Sequence, residues 1–274
     1  MKIITTPKIF LLTCVPLLAI MNSNAISQET LKKPVPQVDE LYLSTTFIER
    51  FTGETKLGSA TGFFFQTADS TRLFLITNRH VVRDEKNLMF PDKLRLHLHI
   101  DRSDLRRSVS YDVALYGETE KKQRRWIEIN ESIDVIAIEF ALQDLEKYNI
   151  KPLNPSRFAP QGTLFAVGEP LVILGYPLGF FDEVHNLPIA RQGAIASAFP
   201  IPFKGEPYFL VDANLHQGTS GSPVFSRPAR VSMTDAGQRV FGPRVYLLGI
   251  NSGFYGGLNL NIVWFTKVID QLTR

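Results

Sequence analysis

A chain of 274 residues that is 44% hydrophobic and 21% charged can fill one large or two small folded cores, which excludes intrinsic disorder as its default state. Its 30 basic and 27 acidic residues nearly cancel, so no nucleic-acid partner is expected, and the one basic run, Lys121-Lys122-Gln123-Arg124-Arg125, reads as a solvated hairpin tip. A single cysteine, Cys14, sits in the N-terminal apolar stretch, so the rest of the chain has neither a thiol nucleophile nor a disulfide.

The first 25 residues have the three parts of a secretory signal peptide: a basic start at Lys2 and Lys8, an apolar stretch from Ile9 to Met21, and the small polar run Asn22-Ser23-Asn24-Ala25. That stretch falls short of the roughly 20 apolar residues of a spanning helix and contains Pro16, so no stable membrane insertion is expected after cleavage. Lipid attachment at Cys14 is disfavoured because the apolar run continues beyond it. The expectation is an exported protein, periplasmic or secreted.

A polar lead over residues 26–40 is followed by short apolar runs separated by turn residues, the pattern of an all-β barrel or sandwich. Strands are expected at Leu41–Arg50, Thr61–Gln66, Arg72–Thr77, Leu94–Ile100, Ser108–Tyr116, Trp126–Glu128 and Val135–Phe140. A weak helical piece, Leu142–Lys147, leads into a proline-bearing connection with Pro152, Pro155 and Pro160. A second series follows at Leu171–Gly175, Ala190–Phe199, Tyr208–Asp212, Ser222–Phe225, Val245–Asn251 and Ile262–Phe265. A short amphipathic helix, Thr266–Thr273, then places Val268, Ile269 and Leu272 on one face, with the Thr266 hydroxyl as its expected cap. The two series divide the chain into a first β unit over residues 41–154, a second over 155–265 and a terminal helix over 266–274.

Three patterns place a polar residue at the edge of an apolar strand: Ile76-Thr77-Asn78-Arg79-His80-Val81-Val82, Ile133-Asp134-Val135-Ile136, and Gly218-Thr219-Ser220-Gly221-Ser222-Pro223. Acyl transfer from a serine needs an imidazole to take its proton and a carboxylate to fix the imidazole tautomer. His80, Asp134 and Ser220 supply those parts. Gly218 and Gly221 free the backbone to turn tightly, and the amides of Gly218 and Ser220 are the natural donors to an oxyanion.

These residues resemble the trypsin-like peptidases of bacteria with the chymotrypsin fold, close to the HtrA-type peptidase domain. The order His, Asp, Ser belongs to that fold, and Ser222 breaks the Gly-x-Ser-x-Gly elbow of the α/β-hydrolases. Thr61-Gly62-Phe63-Phe64, Val172-Ile173-Leu174-Gly175-Tyr176-Pro177-Leu178-Gly179 and Leu248-Gly249-Ile250-Asn251-Ser252-Gly253 extend the match. The resemblance implies two β-barrels with the site between them and the terminal helix on the second. It implies a peptide or protein substrate, no cofactor and no metal.

It also implies that Ser252 bonds the aspartate and that Ser252, Gly253 and Phe254 pair with the substrate backbone. The base of the specificity pocket falls at Asn214 and Leu215, where no acidic residue stands to hold Arg or Lys. Asp212 is expected to face structure. Thr219 replaces the aspartate that digestive relatives use to receive a new N-terminal amine, so activation by that ion pair is not expected. With few residues after Ser220, no PDZ domain is expected.

Other residues compete for these roles. Asp112 also precedes an apolar run, and Ser222 stands two residues from Ser220. His97 and His99 share one strand face, read as exposed rather than as a metal site. His185 and His216 read as incidental, with His216 bordering the cleft.

Overall fold

The computed structural model describes residues 38–117, 123–227, 229–233 and 239–274. Residues 1–25, read from the sequence as a signal peptide, most of the polar lead, and Lys121 and Lys122 of the basic run lie outside the described residues. The elements run α1 (Glu40–Ser44), β1 (Thr45–Thr52), β2 (Thr55–Gln66), β3 (Leu73–Thr77), α2 (Arg79–Val82), β4 (Lys93–His99), β5 (Ser108–Ala114), β6 (Ile127–Glu128), β7 (Ile136–Phe140) and α3 (Leu142–Leu145). They continue β8 (Pro170–Gly175), β9 (Ile189–Ile195), β10 (Tyr208–Asp212), β11 (Pro223–Ser226), β12 (Ala229–Met233), β13 (Arg239–Arg244), β14 (Leu247–Tyr255), β15 (Leu260–Phe265) and α4 (Thr266–Leu272).

The first seven strands form one sheet in the order β5-β4-β1-β2-β3-β7-β6. Its edges meet beyond β5, where Tyr116 bridges Arg124 and the Arg125 N–H donates to the Leu115 carbonyl (3.0 Å). The second set closes as a six-stranded barrel, β10-β15-β14-β11-β8-β9. The fold is therefore the two-barrel, chymotrypsin-like one.

The apolar runs explain why the two units hold together. Along β2 and β3, Phe64, Leu73 and Leu75 fill the interior of the first sheet, while Phe63, Phe65, Phe74 and Ile76 face the opposite way into a core shared with the second barrel. Strands buried on both faces read as continuous apolar runs, and these do. The second barrel repeats the division: Leu171, Ile173, Phe209 and Val224 point inward, and Leu174, Leu210 and Phe225 point to the shared core.

Several boundaries differ from the sequence reading. Residues 41–44 are helical rather than extended, because the Asp39 carboxylate accepts the Leu41 N–H (3.0 Å) and starts a turn. β14 runs on to Tyr255, so Ser252, Gly253 and Phe254 belong to the strand itself. The hairpin of β12 and β13 stands where no strand was expected, and the alternation Ala229, Val231, Met233 is the signal that marks it.

At α4, Phe265 occupies the cap position, and no side chain caps the helix. Thr266 is instead the first helical residue. The helix buries Val268, Ile269 and Leu272 in the shared core and touches β7 as well as β14 and β15, so it seals both units rather than the second alone.

The face carrying His97 and His99 is not exposed: His97 is half-buried against the Phe47 ring (centroids 5.4 Å apart), and the segment carrying His185 covers His99. His97 bonds Glu49 (2.8 Å), and the buried His99 bonds the His185 carbonyl (2.7 Å). Burial lowers the His99 pKa. Asp212 is also corrected: it ends β10 with its side chain in solvent.

Candidate active site

Strand register brings the three sequence motifs together. In the antiparallel β3–β7 pair Thr77 lies opposite Ile136, so the residues leaving β3 stand beside those entering β7. His80 follows β3 on the single turn of α2, which the buried Val81 and Val82 anchor. Asp134 precedes β7 between the buried Ile133 and Val135. Its Oδ1 accepts the His80 backbone N–H (2.9 Å), its Oδ2 lies 2.7 Å from His80 Nδ1, and the Asn78 side-chain amide donates to its carbonyl (2.7 Å).

The serine arrives from the other barrel. Pro223 pairs with Ile250, and the Gly221 N–H to Asn251 carbonyl and Asn251 N–H to Ser222 carbonyl bonds, each 2.9 Å, carry the contact back to Ser220. Ser252 thereby stands beside Ser220, and its hydroxyl donates to Asp134 Oδ2 (2.5 Å). Burial raises the Asp134 pKa, but the bonds from His80 and Ser252 outweigh it and hold the carboxyl below the usual range. The Ser220 hydroxyl is 3.5 Å from the Ser252 carbonyl and makes no hydrogen bond to His80.

The loop before Ser220 is fixed with two amides left open. The Gln217 carbonyl accepts from the Leu178 N–H (2.6 Å), which turns the Gly218 N–H of the same peptide the opposite way. The Thr219 carbonyl accepts from the Ser222 N–H (3.1 Å) and the Asn251 side chain (3.0 Å), which turns the Ser220 N–H likewise. Neither the Gly218 nor the Ser220 amide has a partner among the described residues. Gly218 holds φ +91°, and a Cβ there would lie 2.4 Å from the Tyr176 carbonyl, so only glycine fits. Leu178 donates from a left-handed conformation (φ 55°), strained for a side-chain-bearing residue.

Thr61 ties this loop to the first sheet. Its N–H donates to the Ser220 carbonyl (2.8 Å), its hydroxyl donates to the Gly218 carbonyl (2.7 Å) and accepts from the Tyr176 N–H (3.1 Å), and its carbonyl accepts from Thr77 (2.8 Å). Thr219 is buried, with its hydroxyl on the His216 carbonyl (2.7 Å), so a neutral internal bond stands where digestive relatives place an ion pair.

His80 and Ser220 open into a cleft of about 640 Å³. Leu215, His216, Ser252, Gly253 and Phe254 line it. Asn214 does not: its side chain is exposed, and its carbonyl accepts from Arg191 (2.6 Å). Asn261, which the sequence did not single out, lines the cleft instead and is locked by its amide on the Ala213 carbonyl (2.6 Å). Arg50, Asp84 and Leu178 also line it unannounced by any motif role.

The rival residues are occupied elsewhere. Asp112 faces Arg95 across β4 and β5 and forms a two-pronged ion pair with it (2.7 and 2.9 Å). Ser222 is fully buried. His185 pairs with Asp182 (2.8 Å), and Arg124 of the basic run pairs with Glu128 (2.6 Å). Among the described residues no helix is long and apolar enough to cross a membrane.

A family model described as "Trypsin-like peptidase domain" matches residues 60–231. Three solved structures that the chain resembles are the active form of the Rv3671c protease from M. tuberculosis, a serine endoprotease from Yersinia pestis, and a scabies mite inactivated protease paralogue, S-I1. The first is 16% identical, with TM-score 0.48 over 85% of this chain and 80% of that one. The second is 16% identical, with TM-score 0.48 over 88% and 68%. The third is 14% identical, with TM-score 0.50 over 86% and 95%; likeness at this identity concerns the fold alone. No curated protein sequence matches the chain.

Proposed function

This chain belongs to the trypsin-like peptidase family, and we propose that it is an exported serine endopeptidase with His80, Asp134 and Ser220 as its catalytic triad. The observation that carries this reading is the doubly held histidine. Asp134 accepts from both the backbone and the ring of His80, and His80 lines a cleft together with Ser220 and two amides that have no partner among the described residues.

In the reaction, Ser220 Oγ attacks the peptide carbonyl while His80 Nε2 takes its proton. Asp134 keeps the Nδ1 proton in place and stabilises the imidazolium. The carbonyl oxygen becomes an oxyanion and accepts from the Gly218 and Ser220 amides. Collapse breaks the C–N bond, His80 gives its proton to the departing amine, and water then hydrolyses the acyl-serine by the same path reversed. The acyl half of an extended substrate pairs with β14 at Ser252, Gly253 and Phe254. Leu215 and Asn261 set a pocket without charge, which favours uncharged residues before the cleaved bond.

A second reading, a module that binds extended peptides without cleaving them, draws on the Ser220 hydroxyl pointing at the Ser252 carbonyl. Rotation about the Cα–Cβ bond of Ser220 is the motion the peptidase reading requires, and unliganded sites often hold such bonds loosely. Replacing Ser220 with Ala separates the two readings: turnover of a peptide pool should drop by on the order of 10⁶, whereas equal turnover by both proteins would end the peptidase reading.

A further inference from the structure

One wall of the cleft has no role in the scheme above. It comes from the first sheet, where Arg50, Leu57, Gly58 and Asp84 line the space beyond His80. Arg50 is half-buried there, with neither an ion pair nor a hydrogen bond to any described residue, and its Nε is buried without a partner. A guanidinium carries five donors in a planar fork suited to a carboxylate, and one left bare in a cleft lacks the group it is shaped to meet.

The surroundings hold this fork in position. Arg50 pairs across the β1–β2 ladder with Gly58, beside a bulge at Arg50/Phe51. Gly58 has φ +152°, and a Cβ added there would lie 2.7 Å from Arg50 Nη2, so the glycine makes room for the guanidinium. Asp84 is the one carboxylate on the cleft wall. It is committed to Asn87, accepting from both its backbone (3.0 Å) and its side chain (2.8 Å), and forms no ion pair with Arg50. Burial lowers the Arg50 pKa, and the charge of Asp84 opposes that shift without occupying the fork.

The chemistry gives this wall a side of the substrate. The acyl half lies along β14 in the second barrel, while the departing amine receives its proton from His80 of the first sheet. The residues after the cleaved bond therefore run over the first-sheet wall. The geometry points to Arg50 as a specificity-determining residue that binds a carboxylate on the leaving-group side, hence to substrates with Asp or Glu shortly after the cleaved bond. This assignment rests on the peptidase reading for its direction along the cleft.

The test uses fluorogenic peptides that differ by one Glu-for-Gln exchange, scanned over the positions after the cleaved bond. At one position the full chain should favour Glu by about tenfold in kcat/KM, the size expected of a charge-assisted pair in a partly desolvated cleft. The ratio should fall toward one in Arg50→Met, which keeps the apolar stem, and survive in part in Arg50→Lys. Arg50→Glu should instead favour Lys in the peptide. A wild-type ratio near one at every position overturns the assignment without any variant, and so does a Glu preference that persists in Arg50→Met. Fluorescence anisotropy of the same peptides on Ser220→Ala should give a matching difference in Kd. If the wild type cleaves nothing, the peptidase reading fails, and the binding ratio alone decides whether Arg50 reads a carboxylate.

Discussion

Thr61→Val is the perturbation that separates the support of the oxyanion loop from the triad. Valine keeps the volume and β preference of threonine but deletes a hydroxyl that is fully buried and engaged twice, to the Gly218 carbonyl at 2.7 Å and from the Tyr176 N–H at 3.1 Å. Each orphaned buried group costs about 1–3 kcal/mol, so the variant should lose about 2–6 kcal/mol of stability by chemical denaturation. The kinetic consequence is more specific. Freed of its tether, the Gly218–Thr219 peptide, which joins the two peptides that carry the Gly218 and Ser220 amides, can turn and carry a donor out of line, and loss of one oxyanion donor lowers kcat by about 10²–10³. KM for an extended peptide should change little, because β14 is untouched. A variant that loses stability but keeps wild-type kcat would refute the link between Thr61 and the Gly218 amide; one unchanged in both would refute the contribution of the hydroxyl altogether.

Two further outcomes are expected at the aspartate. Asp134→Asn should lower kcat by on the order of 10⁴ through loss of the correct tautomer. It should also alter acid denaturation: the Asp134 carboxyl titrates below its ordinary value in the folded state, so its stabilisation is complete above about pH 3.9 and lost as pH falls through the lower folded value. The variant's unfolding free energy should therefore fall less steeply over that acid range, and an identical pH dependence would count against the His80–Asp134 pair. Ser252→Ala removes one of three side-chain or backbone donors to that carboxylate, leaving both from His80. Steady-state kinetics should show a drop of about tenfold in kcat, and a loss as large as that of Asp134→Asn would mean that Ser252 does more than hold the carboxylate.

The meeting of His80 and Asp134 was legible because each adjoins a strand whose apolar run is itself the signal: Leu73–Ile76 before His80, Val135–Ile138 after Asp134. Antiparallel pairing then makes the ends meet. What the sequence hid depends on contacts far apart in the chain. Thr61 lies 157 residues from Gly218, and nothing in Thr61-Gly62 foretells a hydroxyl bonded across the two barrels. Asn261 displaced Asn214 from the cleft for a similar reason, since counting back from Ser220 fixes a position along the loop but not the direction of its side chain. Arg50 belongs to no motif and becomes notable only once its nearest acid, Asp84, is seen to be committed to Asn87.

The signal peptide expected over residues 1–25 rests on composition. Export and the triad are separate propositions, and the second is the centre of the account. Its most direct measurement is labelling of the full chain by a serine-directed phosphonate, read by mass spectrometry of the intact protein and its peptides. One adduct per chain is expected on Ser220, none on the buried Ser222, and none in the Ser220→Ala or His80→Ala variants. An unlabelled wild type, or equal labelling after loss of His80, would contradict it.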